Sequence, residues 1–104
     1  DGKYVSPDDL TFAAAAASAD WFSVPGMGVS MVNAKGANSW PVSTASFILM
    51  YKNPADKAAS AEALKFFDYA FKNGKKMAAD LDYVALPDSL TDQIRSKVWS
   101  QIQK

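Results

Sequence analysis

The chain has 104 residues, of which 49% are hydrophobic and 12% aromatic, so its composition is that of a small globular domain and not of a disordered segment. Its 11 basic and 11 acidic residues leave no formal net charge, and the basic residues are scattered, which excludes an electrostatic site for nucleic acid. Because cysteine and histidine are absent, disulfides, thiolate metal sites and the commonest general base are excluded too.

The first predicted element is a helix at residues 7–19. Ser6 is its predicted N-cap, Pro7 takes the first helical position, where a missing N–H costs nothing, and Asp9 would complete a capping box. The run of alanines at residues 13–17 favours a helix, and such small side chains would let it lie close against a sheet. Low complexity is the other interpretation of this run.

One buried β-strand is predicted, at residues 46–52. Residues 47–51 are all large and apolar, and a strand that is apolar on both faces normally lies inside a sheet covered by helices. Such a strand needs neighbours on both sides, and the rest of the chain offers few candidates. We therefore expect the other strands to lie elsewhere, in the remainder of the same protein or in a second copy that pairs with the exposed strand edge.

Three further helices are predicted, at residues 55–73, 75–81 and 88–102. Asn53 is the predicted N-cap of the first of them, its apolar residues recur at three- and four-residue intervals, and Gly74 ends or bends it. The last is an amphipathic closing helix with apolar residues at strict four-residue spacing: Leu90, Ile94, Val98 and Ile102.

Carboxylates are the remaining candidates for catalysis. Each pair of aspartates is explained at least as well by a helix end or a solvated face, and none has the periodic spacing and central glycine of a calcium loop. We therefore expect no enzymatic activity, no cofactor and no metal site. The pairs are Asp8 with Asp9, Asp80 with Asp82, and Asp88 with Asp92.

An oxyanion could bind at helix amino ends or at hydroxyl groups. Each predicted helix amino end carries its own aspartate, which would repel an incoming anion. The weak candidates for phosphate binding are therefore the hydroxyls of Ser43, Thr44 and Ser46, although small polar residues leading into a strand are the preferred interpretation. The three tryptophans are interpreted as core residues in preference to platforms for a stacked ligand.

Short motifs follow one another along the chain in a characteristic order. The most specific are the block at residues 64–70 and the block at residues 80–89. The others are Asp1-Gly2-Lys3, Val5-Ser6-Pro7, Phe12-Ala13, Ala19-Asp20-Trp21, Lys35-Gly36-Ala37, Trp40-Pro41 and Phe47-Ile48-Leu49. Together they resemble the carboxy-terminal part of the phosphate-binding proteins of bacterial ABC transporters, the PstS type, and the resemblance covers nearly the whole chain.

The resemblance implies an α/β fold class, namely the carboxy-terminal part of a two-lobed, type II periplasmic-binding-protein fold, mostly helical with one main buried strand. The parent protein would capture inorganic phosphate in the periplasm and deliver it to the permease subunits of an ABC transporter. Its signal peptide would not be in this chain, since the amino end lacks a charged start and an apolar centre.

The resemblance also implies that this segment is scaffold. The phosphate ligands of the family are hydroxyls, backbone amides, an arginine and an aspartate from the earlier part of its chain. Arg95, the only arginine, does not match the family's arginine, so no residue here inherits a binding role. The alternative hypothesis is an autonomous helical protein-interaction module without a small-molecule ligand.

Overall fold

Helices are the regular secondary structure of residues 2–103, which are the residues that the computed structural model describes. The chain divides between Ser46 and Phe47 into two units, each described here by itself. None of the helices in the described part of the chain is both long and apolar enough to cross a membrane.

The predicted strand at residues 46–52 is wrong for this structure, because residues 2–103 contain no strand. The side chains that the prediction buries are exposed, with fractions of 52% for Phe47, 62% for Ile48 and 94% for Leu49. A strand requires hydrogen bonds to a neighbouring strand, and the described residues supply no neighbour. The helical part of the predicted fold class is confirmed, and the main buried strand is not.

The first unit contains helix α1, Asp9–Ser18, and a short 3₁₀ turn, Pro25–Met27. Helix α1 begins later than predicted because Asp8, and not Ser6, is its N-cap. The Thr11 backbone N–H donates to Asp8 Oδ1 at 2.9 Å, and the Asp8 N–H donates to Thr11 Oγ1 at 3.1 Å. Thr11, and not the predicted Asp9, therefore closes the capping box.

The small alanine side chains of α1 allow an indole ring to pack close to the helix, in place of the predicted sheet. Ala15 and Ala16 are buried, and the Trp21 Nε1–H donates to the Ala16 carbonyl oxygen at 2.7 Å. On the same helix, the Thr11 carbonyl accepts from the Trp40 N–H at 3.1 Å. The core of this unit is thus built from small helical residues covered by tryptophan.

The second unit contains helices α2, Lys57–Asn73, and α3, Lys75–Asp80. Asp56 caps α2, with Oδ1 accepting from the Ala59 N–H at 3.0 Å. The predicted N-cap, Asn53, is therefore wrong, and the cap lies three residues later. Gly74 separates the helices, and its N–H donates to the Ala70 carbonyl at 2.8 Å. The last turn of α2 is therefore closed by the residue that is also the N-cap of α3.

The predicted closing helix is divided into α4, Asp88–Gln93, a π turn, Ile94–Val98, and a 3₁₀ turn, Trp99–Gln101. Apolar residues spaced by four drift about 40° per step around an α-helix, since each residue advances about 100°. A π turn holds more residues per turn and offsets that drift. Leu90 and Ile102, the two ends of the apolar series, are both buried.

Candidate functional site

The three hydroxyl residues predicted as weak phosphate candidates lie at the end of the first unit. Ser43 is buried, and its Oγ donates to the Trp40 carbonyl at 3.1 Å. The side chains of Thr44 and Ser46 are exposed. The Ser43 hydroxyl is thus occupied by the fold itself.

An open concavity of about 330 Å³ lies elsewhere in the first unit. Among the described residues, Lys3 is the only charged one that lines it. Ser39, which also lines it, donates its Oγ hydrogen to the Lys35 carbonyl at 2.7 Å. The other lining residues are Tyr4, Val5, Asn33, Ala34, Gly36, Ala37, Trp40 and Pro41. None of the three predicted hydroxyl residues is among them, so the structure does not bring the predicted candidates into this concavity.

The densest charged cluster lies in the second unit and is called the Arg95 network, comprising Asp68, Lys72, Asp92 and Arg95. Arg95 Nε donates to Asp68 Oδ1 at 2.7 Å, and an outer guanidinium nitrogen of Arg95 donates to Asp92 Oδ1 at 2.9 Å. Lys72 Nζ lies 2.8 Å from Asp68 Oδ2. The two carboxylates and two cations balance, so the network presents no excess positive charge to an anion.

Two stacked aromatic rings lie next to this network, one of them against Arg95. The Arg95 guanidinium carbon lies 5.8 Å from the centroid of the Phe71 ring, and that ring stacks on Trp99 with centroids 5.5 Å apart. A cation over an aromatic face is attracted by the ring quadrupole. Arg95 therefore joins the π turn to α2 through one hydrogen-bonded carboxylate, Asp68, and one ring, Phe71, which is a structural role.

The network changes the acidity of Asp68. The hydrogen bond from Lys72 and then that from Arg95 lower the pKa of Asp68 below its ordinary value, while partial burial opposes them. The hydrogen bond to Asp68 raises the pKa of Arg95. Asp68 consequently stays ionised in moderately acidic solution, which keeps α2 paired with the π turn.

We expect Asp68→Asn to lower the urea midpoint of the second unit at neutral pH and to lose this effect in acid. The folded pKa of Asp68 is depressed, so its stabilisation is fully present above the unfolded value of about 3.9 and is lost as pH falls through the folded pKa. Urea unfolding followed by circular dichroism, at neutral pH and at stepwise lower pH, measures the difference.

Glu62→Gln is the matched control for this prediction. Glu62 also pairs with a lysine of α2, Lys65, at 3.0 Å, but both side chains are about three-quarters exposed, at 73% and 75%. Pairs of this kind contribute little. A midpoint change in Glu62→Gln equal to that in Asp68→Asn, or an effect of Asp68→Asn that does not decrease as the pH is lowered, would contradict the role of the network.

The aspartates considered for catalysis occupy separate structural positions. Asp8 caps α1, Asp80 pairs with Lys76 at 2.9 Å, Asp88 pairs with Lys75, and Asp92 pairs with Arg95. Within residues 2–103 there is no group of three acidic, histidine or cysteine side chains able to hold a metal ion. Trp21 is buried, which agrees with its interpretation as core.

The Arg95 network is not predicted by the sequence. Asp68 and Lys72 are four residues apart on one helix, a spacing that signals an ion pair. Arg95 lies 27 residues from Asp68, and no periodicity relates positions so distant. The pairing of Arg95 with Asp68 is therefore visible only in the tertiary structure.

Comparison with known proteins finds relatives along nearly the whole chain, although no protein-family model matches it. The "Phosphate-binding protein PstS" of Pasteurella multocida is 42% identical over 102 residues, which are 98% of this chain and 30% of that protein. The protein of the same name from Haemophilus influenzae is 38% identical over 99% of this chain and 31% of its own length.

The same name recurs in Xylella fastidiosa, whose protein is 41% identical over 91% of this chain and 26% of its own length. This chain thus spans about a third or less of the length of the relatives it matches. The similarity confirms the resemblance to PstS-type proteins that the sequence motifs indicate. Over nearly all of its length, the chain is a relative of the PstS-type phosphate-binding proteins.

Proposed function

We propose that this chain is the carboxy-terminal portion of a two-lobed periplasmic solute-binding protein that captures inorganic phosphate for an ABC transporter. The observation that carries the proposal is its 42% identity, over 98% of its residues, to a protein named for phosphate binding. The relatives are named as binding proteins, which supports a role in capture and not in catalysis.

Within that protein, the proposed role of these residues is scaffold. A phosphate site requires donors and positive charge that are available to the ligand. Arg95 already donates to two carboxylates, and the Ser43 hydroxyl donates to a backbone carbonyl. The N-caps Asp8 and Asp56 place negative charge at the amino ends of α1 and α2. These features support the proposal that the groups that bind phosphate come from another part of the protein.

The proposed partners follow from the same assignment. They are inorganic phosphate, bound through the rest of the parent protein, and the permease subunits of the transporter, with the periplasm as the proposed location. The apolar side chains of Phe47, Ile48, Leu49 and Tyr51 are exposed, which supports contact with the remainder of the protein or with a second copy.

Calorimetric titration with phosphate tests the scaffold role. We expect the chain alone to release no binding heat at micromolar phosphate, since the Ser43 hydroxyl and the Arg95 guanidinium are already hydrogen-bonded within the fold. When the chain replaces the corresponding segment of the Pasteurella multocida relative, we expect the full-length hybrid to bind phosphate.

Sulfate titrated into the same hybrid is the control for a nonspecific anion effect. Micromolar binding of phosphate by the chain alone would show that the scaffold assignment is wrong. A hybrid that folds, by circular dichroism, and yet binds no phosphate would contradict the family function for this segment.

The alternative, an autonomous helical interaction module, is favoured by one observation. Each unit has buried residues of its own, among them Trp21 in the first and Leu64 in the second, so neither lacks a core. Concentration-dependent sedimentation distinguishes the two. Tight self-association of the chain, abolished by Leu49→Lys, would support the interaction module. A chain that is unstable alone and stable only within the hybrid would support the hypothesis that it is a portion of a larger protein.

A further inference from the structure

Asn73 and Gly74 form the only asparagine–glycine pair in the sequence, and they lie where α2 ends. Asn73 is exposed, as is the neighbouring Lys72. We propose that Asn73 is the principal site of spontaneous deamidation in this chain, and that local opening of the last turn of α2 controls its rate. This proposal does not depend on the ligand of the parent protein.

The reaction needs only water and a base. The Gly74 backbone nitrogen loses its proton and attacks Cγ of Asn73, so that a nitrogen–carbon bond forms and the Cγ–Nδ2 bond breaks. Nδ2 leaves with a proton as ammonia, and a cyclic imide remains. Water then opens either imide bond, which gives aspartate or isoaspartate at this position. Glycine favours the attack because it carries no side chain to obstruct the ring closure.

In the folded structure both reacting groups make other hydrogen bonds. The Gly74 N–H donates to the Ala70 carbonyl at 2.8 Å, and Asn73 Nδ2 donates to the Tyr69 carbonyl at 3.2 Å. Attack requires both hydrogen bonds to break, because the nitrogen must turn toward the Asn73 side chain. Helix ends open more often than helix centres, so the last turn of α2 provides a route to reaction.

The other asparagines are less suited to this chemistry. Asn53 precedes Pro54, whose nitrogen carries no hydrogen to lose. Asn38 precedes Ser39, which is buried and donates its N–H to the Gly36 carbonyl at 3.2 Å. Asn33 precedes an alanine, whose methyl group obstructs the ring closure. The chain therefore contains its own comparison sites.

The product changes the junction between α2 and α3. Either form adds a negative charge at the carboxy end of α2, where the helix dipole disfavours anions. Isoaspartate also inserts a methylene group into the backbone directly before Gly74, whose position lies close to the Ala70 carbonyl. We therefore expect deamidated chains to have a lower urea midpoint for the second unit.

Incubation in mildly alkaline buffer, followed by peptide mapping with mass spectrometry and isoaspartate detection, tests the proposal. We expect most of the product at position 73, with less at positions 33, 38 and 53. In urea, where α2 is unfolded, we expect the rate at position 73 to rise at least about tenfold, which corresponds to a local opening free energy of about 1.4 kcal/mol.

Asn73→Gln is the control variant, because its longer side chain must close a larger ring. We expect it to keep the circular dichroism spectrum and to lose the product at that position. Equal rates at position 73 with and without urea would overturn the role of local opening. Product at position 33 or 38 exceeding that at position 73 in the folded chain would overturn the choice of site.

Discussion

Trp21→Ala is expected to destabilise the first unit strongly, with a loss of about 3–5 kcal/mol in the free energy of unfolding. Trp21 is 5% exposed, and its indole N–H donates to the Ala16 carbonyl at 2.7 Å. The residues of α1 around it are small, so no neighbouring side chain can expand into the space that the indole leaves. Domains are stable by only about 5–15 kcal/mol, so a loss of this size is a large fraction of the total.

Amide hydrogen exchange along α1 measures this effect, because it reports on the first unit separately from the second. We expect the protection of α1 amides to fall sharply in Trp21→Ala. Tyr4→Ala is the matched control, since it removes an aromatic side chain that is fully exposed. Equal protection of α1 in the two variants would show that Trp21 does not hold the core of this unit.

The positions of the helices are close to what local signals predict. Pro7, the alanines of α1 and the apolar periodicity of α2 place both helices within two residues of their observed bounds. Capping is less well predicted, because Ser6, Asp8 and Asp9 are all acceptable residues near a helix start, and only the geometry with Thr11 decides between them.

The strand is mispredicted for a different reason. The apolar run at residues 47–51 indicates a buried environment, but a strand also needs hydrogen-bonded neighbours, which the described residues do not supply. Apolarity is a property of the segment alone, whereas pairing is a property of its surroundings. The Arg95 network escapes prediction for the same reason, since its contacts join positions that no local pattern relates.

Gly74 is a position where helix propensity and the structure predict opposite effects of one substitution. From propensity alone, alanine would be expected to stabilise the junction, because glycine costs about 0.5–1 kcal/mol relative to alanine within a helix. In the structure, a Cβ at this position would lie 2.6 Å from the Ala70 carbonyl oxygen. Gly74 has φ −92° and ψ 0°, so the conflict arises from this close approach and not from a left-handed backbone.

We therefore expect Gly74→Ala to destabilise the second unit by about 1–3 kcal/mol, the range for overpacking a tight site. The obstructing atom belongs to the backbone, so rotation of a side chain cannot relieve the contact. Urea unfolding and the exchange of α3 amides measure the effect. Gly28→Ala is the control, since φ there is −77° and no heavy atom lies within 4 Å of the added Cβ.

The two alanine variants should differ in sign. Gly28→Ala is expected to be neutral or to stabilise by up to about 1 kcal/mol, because it restricts the unfolded chain without straining the folded one. If Gly74→Ala raised the urea midpoint, a Cβ at position 74 would not be obstructed by the Ala70 carbonyl, and the expected destabilisation would be wrong. A loss of protection limited to α3 would instead show that Gly74 positions that helix after α2 ends.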